Sequence, residues 1–210
     1  KDLGIDLGTM FTRLADSTQV LLEEPTIVAI EVFDQKMVAV GKEALDMYGR
    51  VPESIEVARP LKNGVIADYE ITETLLSYLL QRVSGSMRIF RPRVMISVPY
   101  GVTSVERRAV YEAVLEAGSR EAYLIQQPLA AALGVDLPIN SPSGNMVITL
   151  GGGCTEAAVM AMYGIVSGET LRAGGMDLDE AIVNYVRRKY GVIMSSSRLE
   201  NLNVAAFDLM

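Results

Sequence analysis

Histidine and tryptophan are absent from the 210 residues. Without histidine, Ser-His triads, imidazole bases and imidazole metal ligands are excluded together. Cys154 is the only cysteine, so neither an internal disulfide nor a thiolate zinc cluster can form. Positive charge is scarce: 19 Lys and Arg stand against 26 Asp and Glu, a formal charge of −7. Gripping nucleic-acid phosphates takes a basic face, so nucleic acid is not an expected partner. No run reaches the roughly 18 to 20 apolar residues of a membrane-spanning helix. No signal peptide is visible, because Lys1-Asp2 leads directly into a strand-like segment. A cytoplasmic location is the default expectation.

Half the residues are apolar and 21% are charged, the balance of a globular chain with a sizeable core. Short alternating or apolar runs predict strands at 3–7, 12–15, 20–22, 26–30 and 37–40, with Glu23-Glu24-Pro25 as a break. A short helix is expected over 42–48, stopped by Gly49. Leu75, Leu76, Leu79 and Leu80 mark a longer helix over 71–83. A buried strand at 94–98 precedes Thr103-Ser104-Val105-Glu106, a capping-box pattern that opens an apolar stripe ending at Gly118. A strand at 122–125 and a helix starting at Pro128 follow. The stretch 137–144, with Pro138 and Pro142, is the best linker candidate. Beyond it come strands at 146–150, 157–162 and 165–166, then a helix over 177–189 with acids at its start and Arg187, Arg188 and Lys189 at its end.

The pattern after the linker repeats the one before it. Residues 5–15 lie over residues 148–158 at an offset of 148 − 5 = 143, and Ile, Leu, Gly, Thr and Ala recur at matching places. Each copy reads as a strand, a glycine turn with hydroxyl residues, and a second strand. Two such hairpins suggest duplicated lobes that face one ligand. Small residues leave backbone N–H groups uncovered, and glycine lets them converge on an anion. Thr9, Thr12 and Thr155 are candidate phosphate donors, and Asp6, at a strand end, is a candidate holder of hydrated magnesium. The plainer alternative is that Gly151-Gly152-Gly153 only permits a tight turn. Duplication argues against it.

Several segments carry a resemblance. They are Ile5-Asp6-Leu7-Gly8-Thr9, the run from Arg59 to Tyr69, Pro92 to Pro99, Glu106-Arg107-Arg108-Ala109-Val110 and Asp179-Glu180-Ala181-Ile182-Val183. Together they resemble the bacterial actin homologue MreB, from residue 1 to about Gly191. The resemblance implies an α/β, actin-like (ribonuclease H-like) fold, a mixed sheet flanked by helices, shared with heat-shock chaperone ATPases. It implies a first lobe over 1–144, with a small inserted subdomain around 31–60, and the beginning of a second lobe over 145–210. It also implies ATP or ADP with magnesium in the cleft, and filaments involved in cell shape. Carried over by position, Asp6, Gly8, Thr9, Met10 and Thr12 line the first phosphate loop. Gly151, Gly152, Gly153, Cys154 and Thr155 form the second, with Gly175 nearby. Cys154 stands where the family has Thr, and without a neighbouring histidine it reads as a loop residue, not a nucleophile.

The departures are chemically pointed. Where the family has a magnesium-facing aspartate, this chain has Thr149; Ile-Glu-Glu-Pro is replaced by Ile125-Gln126-Gln127-Pro128; and Gly-Asp by Gly175-Met176. A carboxylate can take a proton and attract a metal, whereas an amide only orients water. Weakened metal and nucleotide binding and slow or absent hydrolysis are expected, with Gln126 the candidate for orienting the attacking water. Two alternatives stand beside this: a competent magnesium-dependent ATPase that uses Gln126, and a nucleotide-free adaptor or regulator of a full-length filament.

The segment Ser86-Met87-Arg88-Ile89-Phe90-Arg91 places apolar residues between cations. Ile89 and Phe90 are candidates to dip into a bilayer while Arg88 and Arg91 meet anionic headgroups, with avidity supplied by a filament. The alternative is that Phe90 closes the core. The expected partners are thus further copies of the chain, the inner face of the cytoplasmic membrane and cell-shape proteins. The 63 residues from Ile148 onward are few for a second lobe, and the apolar patch Val204-Ala205-Ala206-Phe207 is expected to seek cover.

Overall fold

The computed structural model describes residues 2–84 and 91–193. In chain order, β1 (Asp2–Leu7), β2 (Phe11–Ala15) and β3 (Val20–Pro25) form a meander. They are followed by β4 (Val28–Glu31), β5 (Lys36–Val40), α1 (Lys42–Met47) and β6 (Ile55–Ala58). A tight hairpin, β7 (Leu61–Lys62) and β8 (Val65–Ile66), leads to α2 (Tyr69–Ser84), β9 (Arg93–Val98), α3 (Ser104–Glu116), β10 (Glu121–Gln126) and α4 (Gln127–Gly134). The chain then makes β11 (Asn145–Leu150), β12 (Thr155–Ala161), β13 (Gly164–Leu171) and α5 (Gly175–Tyr190).

The main sheet runs β10-β9-β1-β2-β3. Hairpin neighbours are antiparallel, while β9 lies parallel to β1 and β10 parallel to β9. Parallel neighbours need crossovers, which α2 and α3 provide. Alternation decides which face they cover: Leu3, Ile5 and Leu7 point to one side of β1 and are buried beneath Leu75, Leu76 and Leu79 of α2 and Val110, Ala113 and Val114 of α3. The capping box forms as read, since the Thr103 hydroxyl accepts from the Glu106 N–H at 3.2 Å and Glu106 accepts from the Thr103 N–H at 2.8 Å.

A small sheet, β5-β4-β6, has its own buried cluster of Ile27, Ala29, Ala39 and Ala44. A third sheet, β11-β12-β13, packs one face through Ala158 and Met160 on Ala132 of α4 and on Ile139. The helix α5 ends at Gly191, whose φ of 67° closes the last turn, with the three cations ahead of it.

One local reading changes. The pairing of β3 with β2 continues through Glu23 and Glu24 to Pro25, opposite Phe11. An edge strand tolerates a terminal proline because no ladder donor is required there. The proposed linker is also anchored: Ile139 is buried, its carbonyl accepts from the Tyr163 N–H, and the Ser141 carbonyl accepts from the Met162 N–H. The strands β6, β7 and β8 carry no clear periodicity and were not expected.

Candidate nucleotide-binding cleft

The two hairpins close identically. The Gly8 N–H donates to the Phe11 carbonyl at 3.1 Å, and 143 residues later the Gly151 N–H donates to the Cys154 carbonyl at 2.8 Å. Leu7 pairs with Thr12 as Leu150 pairs with Thr155. Both closures need glycine: a Cβ on Gly8 would lie 2.7 Å from the Phe11 oxygen, and one on Gly151 would lie 2.9 Å from the Cys154 oxygen. The tips then meet face to face, Met10 lying against Gly152 and Thr9 against Gly153 so closely that neither glycine has room for a Cβ. Among the described residues, the N–H groups of Thr9, Met10, Gly152 and Gly153 donate to no protein acceptor. Four free backbone donors therefore sit on two touching turns, the kind of donor set that suits an anion.

These tips separate two cavities, one of about 820 Å³ and one of about 770 Å³, with Thr9 and Gly153 lining both. The larger carries the polar strand ends. Along its floor the Gln127 amide reaches the Ser97 hydroxyl at 3.5 Å, and that hydroxyl donates to Asp6 at 2.9 Å. Arg13, directly across the ladder from Asp6, sits 3.5 Å from its carboxylate and donates to Glu23 at 2.6 Å.

The second hairpin inverts this chemistry. Thr149 stands where Asp6 stands in the first, and Glu156 where Arg13 stands. Glu156 is 1% exposed and accepts from the Tyr100 N–H at 2.6 Å, from Thr170 at 3.3 Å and from Thr149 at 3.4 Å. Burial pushes its carboxyl above the usual range, against the pull of those three bonds. The Tyr100 bond also ties the end of β9 to β12. Further ties join the two halves: Arg172 pairs with Glu106 at 2.9 Å, and Asn63 donates to the Arg172 carbonyl at 2.6 Å. Within the first half, the Gly64 N–H donates to the Thr9 hydroxyl at 3.0 Å.

Of the residues singled out in the sequence, Asp6, Gly8, Thr9, Met10, Gly151, Gly152, Gly153 and Cys154 line the larger cavity. Four do not. Thr12 points into the core, where its hydroxyl meets Thr26 at 2.8 Å, and the Thr26 hydroxyl donates to the Gly8 carbonyl. Thr155 donates to the Ala173 carbonyl at 2.9 Å. The Gly175 N–H is spent on the Gly151 carbonyl at 2.9 Å, so it braces the second turn from behind. Gln126, half-buried, pairs with Val98 at the end of β10, and the cavity is lined instead by Ile125 and by Gln127, the first residue of α4. Ile89 and Phe90 lie outside the described residues. Arg13, Ser97 and Glu156 were missed; only cross-strand register could have revealed the first and third.

Cys154 is buried with its thiol pushed up to about 11, chiefly by burial and then by Glu156. A thiol so protonated is no nucleophile. The donors present do not suit magnesium. Of the two carboxylates that line the larger cavity, Glu156 is buried and Asp6 already faces a guanidinium, while Thr149 offers only a hydroxyl. Among the described residues no three acids cluster as a metal site.

Comparison with known proteins fits this geometry. The family model for MreB/Mbl protein matches residues 1–206. The chain belongs to the MreB/Mbl family. It is 46% identical over 207 residues to the cell shape-determining protein MreB of Haemophilus influenzae, covering 96% of this chain and 59% of that protein. It is 38% identical to the cell shape-determining protein Mbl of Bacillus subtilis, covering 97% and 62%. Among solved structures, MreB5 of Spiroplasma citri bound to ADP superposes with a TM-score of 0.88 at 30% identity, over 96% of this chain and 60% of that one. The MamK double helical filament shares the fold, with a TM-score of 0.76 at 21% identity. This MreB/Mbl chain therefore has the actin fold and spans about 60% of the length of these relatives.

Proposed function

We propose that this chain acts as an MreB-like cytoskeletal protein that binds ATP or ADP between its two glycine hairpins, assembles into filaments and takes part in determining cell shape. One observation carries the reading: four backbone N–H groups without a protein acceptor lie on the turns where the hairpins touch, on residues that line a cavity of about 820 Å³. A polyphosphate suits those donors. The likeness to MreB5 bound to ADP supports the choice of nucleotide.

Hydrolysis is slow or absent in this reading. The amide that reaches the cavity is Gln127, which orients water but accepts no proton. Membrane attachment through Ile89 and Phe90 completes the proposal and places the filament on the inner face of the cytoplasmic membrane.

Titration calorimetry with ADP and ATP tests the binding, and pelleting with each nucleotide tests assembly. Micromolar affinity that is lost on replacing Gly153 with valine is the expected result. No heat at any concentration, together with co-pelleting on a full-length relative, would instead favour a nucleotide-free adaptor. Rapid phosphate release abolished by Gln126→Ala but not by Gln127→Ala would restore Gln126 as the water-orienting residue. Replacing Ile89 and Phe90 with serine is expected to lower co-sedimentation with anionic liposomes without altering the circular dichroism spectrum.

A further inference from the structure

Arg13 occupies an unusual place for a cation. It sits on β2 directly opposite Asp6, on the same cavity wall as the free N–H groups of Thr9 and Met10. Its Nε donates to Glu23, and its Nη1 faces Asp6 at 3.5 Å. The Phe11 ring lies 5.7 Å beneath the guanidinium and limits where it can swing. The rest of its fork of N–H donors remains for an oxyanion, and a guanidinium matches phosphate oxygens in pairs.

The surrounding charges point the same way. Arg13 stands between two carboxylates, Glu23 at 2.6 Å outside the cavity and Asp6 at 3.5 Å inside it, and the second hairpin's acid in this wall, Glu156, has its oxygens occupied and is shut from water. A dication placed beside Asp6 would meet the guanidinium as a like charge. A polyphosphate meets it as an opposite one.

We propose that Arg13 supplies the counter-charge for the phosphates of a bound nucleoside di- or triphosphate, so that binding does not depend on a divalent metal. This rests on the nucleotide reading above. The site then joins two kinds of donor: neutral backbone amides from both hairpins and one fixed side-chain cation.

The test is the affinity for ribose-labelled fluorescent ADP, measured by anisotropy with excess magnesium and with excess EDTA. The wild-type chain is expected to bind equally well in both, within about twofold. Arg13→Leu is expected to bind at least tenfold more weakly in EDTA, while Arg13→Lys, which keeps the charge, recovers part of that loss. Thermal melts of both variants report whether the fold is intact; because Arg13 is half exposed and paired only at the surface, the melts are expected to match wild type. Wild-type binding that needs magnesium would overturn this proposal and leave the nucleotide reading standing. So would an Arg13→Leu chain that binds normally in EDTA. No binding in either buffer would overturn both.

Discussion

β1 and β11 have the same pattern and opposite surroundings. Leu3, Ile5 and Leu7 of β1 are 2–3% exposed, whereas their counterparts 143 residues on, Met146, Ile148 and Leu150, are 58%, 61% and 82% exposed. The matched rows are equally apolar and the strands close equivalent hairpins. The difference is cover: α2 and α3 lie over the first row, and among the described residues nothing lies over the second. Amphipathic alternation thus says which face of a strand wants burial, not whether burial is supplied. The helix α5 makes the same point, since it has an apolar stripe and no buried residue.

The sharpest way to break this comparison is to truncate matched leucines. Leu7→Ala removes side-chain atoms from a packed core and is expected to cost about 2–5 kcal/mol. Leu150→Ala, at the equivalent place in the second hairpin, is expected to stay within about 0.5 kcal/mol. Urea unfolding of both variants measures the contrast. Equal losses would mean that the exposed row of β11 is covered in solution.

The glycines predict the reverse, equality where the leucines differ. Each closure brings a carbonyl oxygen under 3 Å from where a Cβ would sit. Gly8→Ala and Gly151→Ala must both shift backbone, at a cost of about 1–3 kcal/mol each. A much smaller loss for Gly151→Ala would show that the second turn is not held in this closed form. Gly49 serves as the control, because it sits in open space, although its positive φ of 70° still favours glycine.

Much of this was legible from the sequence. The hairpins, their offset, the capping box and most strand positions followed from alternation, glycine placement and spacing. What escaped reading depended on register. Thr12 and Thr155 look like phosphate donors beside glycine turns, yet the odd-even position of each along its strand points it away from the cavity, and both hydroxyls serve local carbonyls or hydroxyls. The choice between Gln126 and Gln127 turned on where β10 ends and α4 begins. Arg13 and Glu156 drew no notice because a charged residue two places into a strand ordinarily faces water. Their importance comes from the residue across the ladder, which spacing along one strand does not reveal.

A smaller perturbation makes the second hairpin imitate the first. Thr149→Asp would put a carboxylate within reach of the Glu156 oxygen that Thr149 now contacts at 3.4 Å. Two acids sharing so buried a spot repel, so a cost of about 1–2 kcal/mol is expected near neutral pH. Acidification toward pH 5 is expected to relieve it. Thr149→Asn, of the same size and neutral, is expected to show no such pH dependence. Without that difference, the pair would be too well hydrated for the inversion of charge between hairpins to matter.

The least expected effect lies in the pH dependence of Glu156 itself. Its folded carboxyl is raised above the unfolded value, chiefly by burial. Between the unfolded and the folded pKa the native state holds more protons than the unfolded chain, so stability falls as pH rises through that window. The favourable contribution is therefore complete below about pH 4.5, the ordinary glutamate range, and is lost above the folded pKa. Glu156→Gln cannot titrate, yet its carbonyl can still accept from the Tyr100 N–H and its amide can donate to Thr149. Subtracting the variant's urea midpoints from those of the wild type between pH 4.5 and 7 cancels the acid transition they share. The difference is expected to favour the wild type increasingly as pH falls. A flat profile would mean that Glu156 is solvated well enough to ionise freely, and the Tyr100 bond would then be a surface tie like the Arg172–Glu106 pair instead of a buried one.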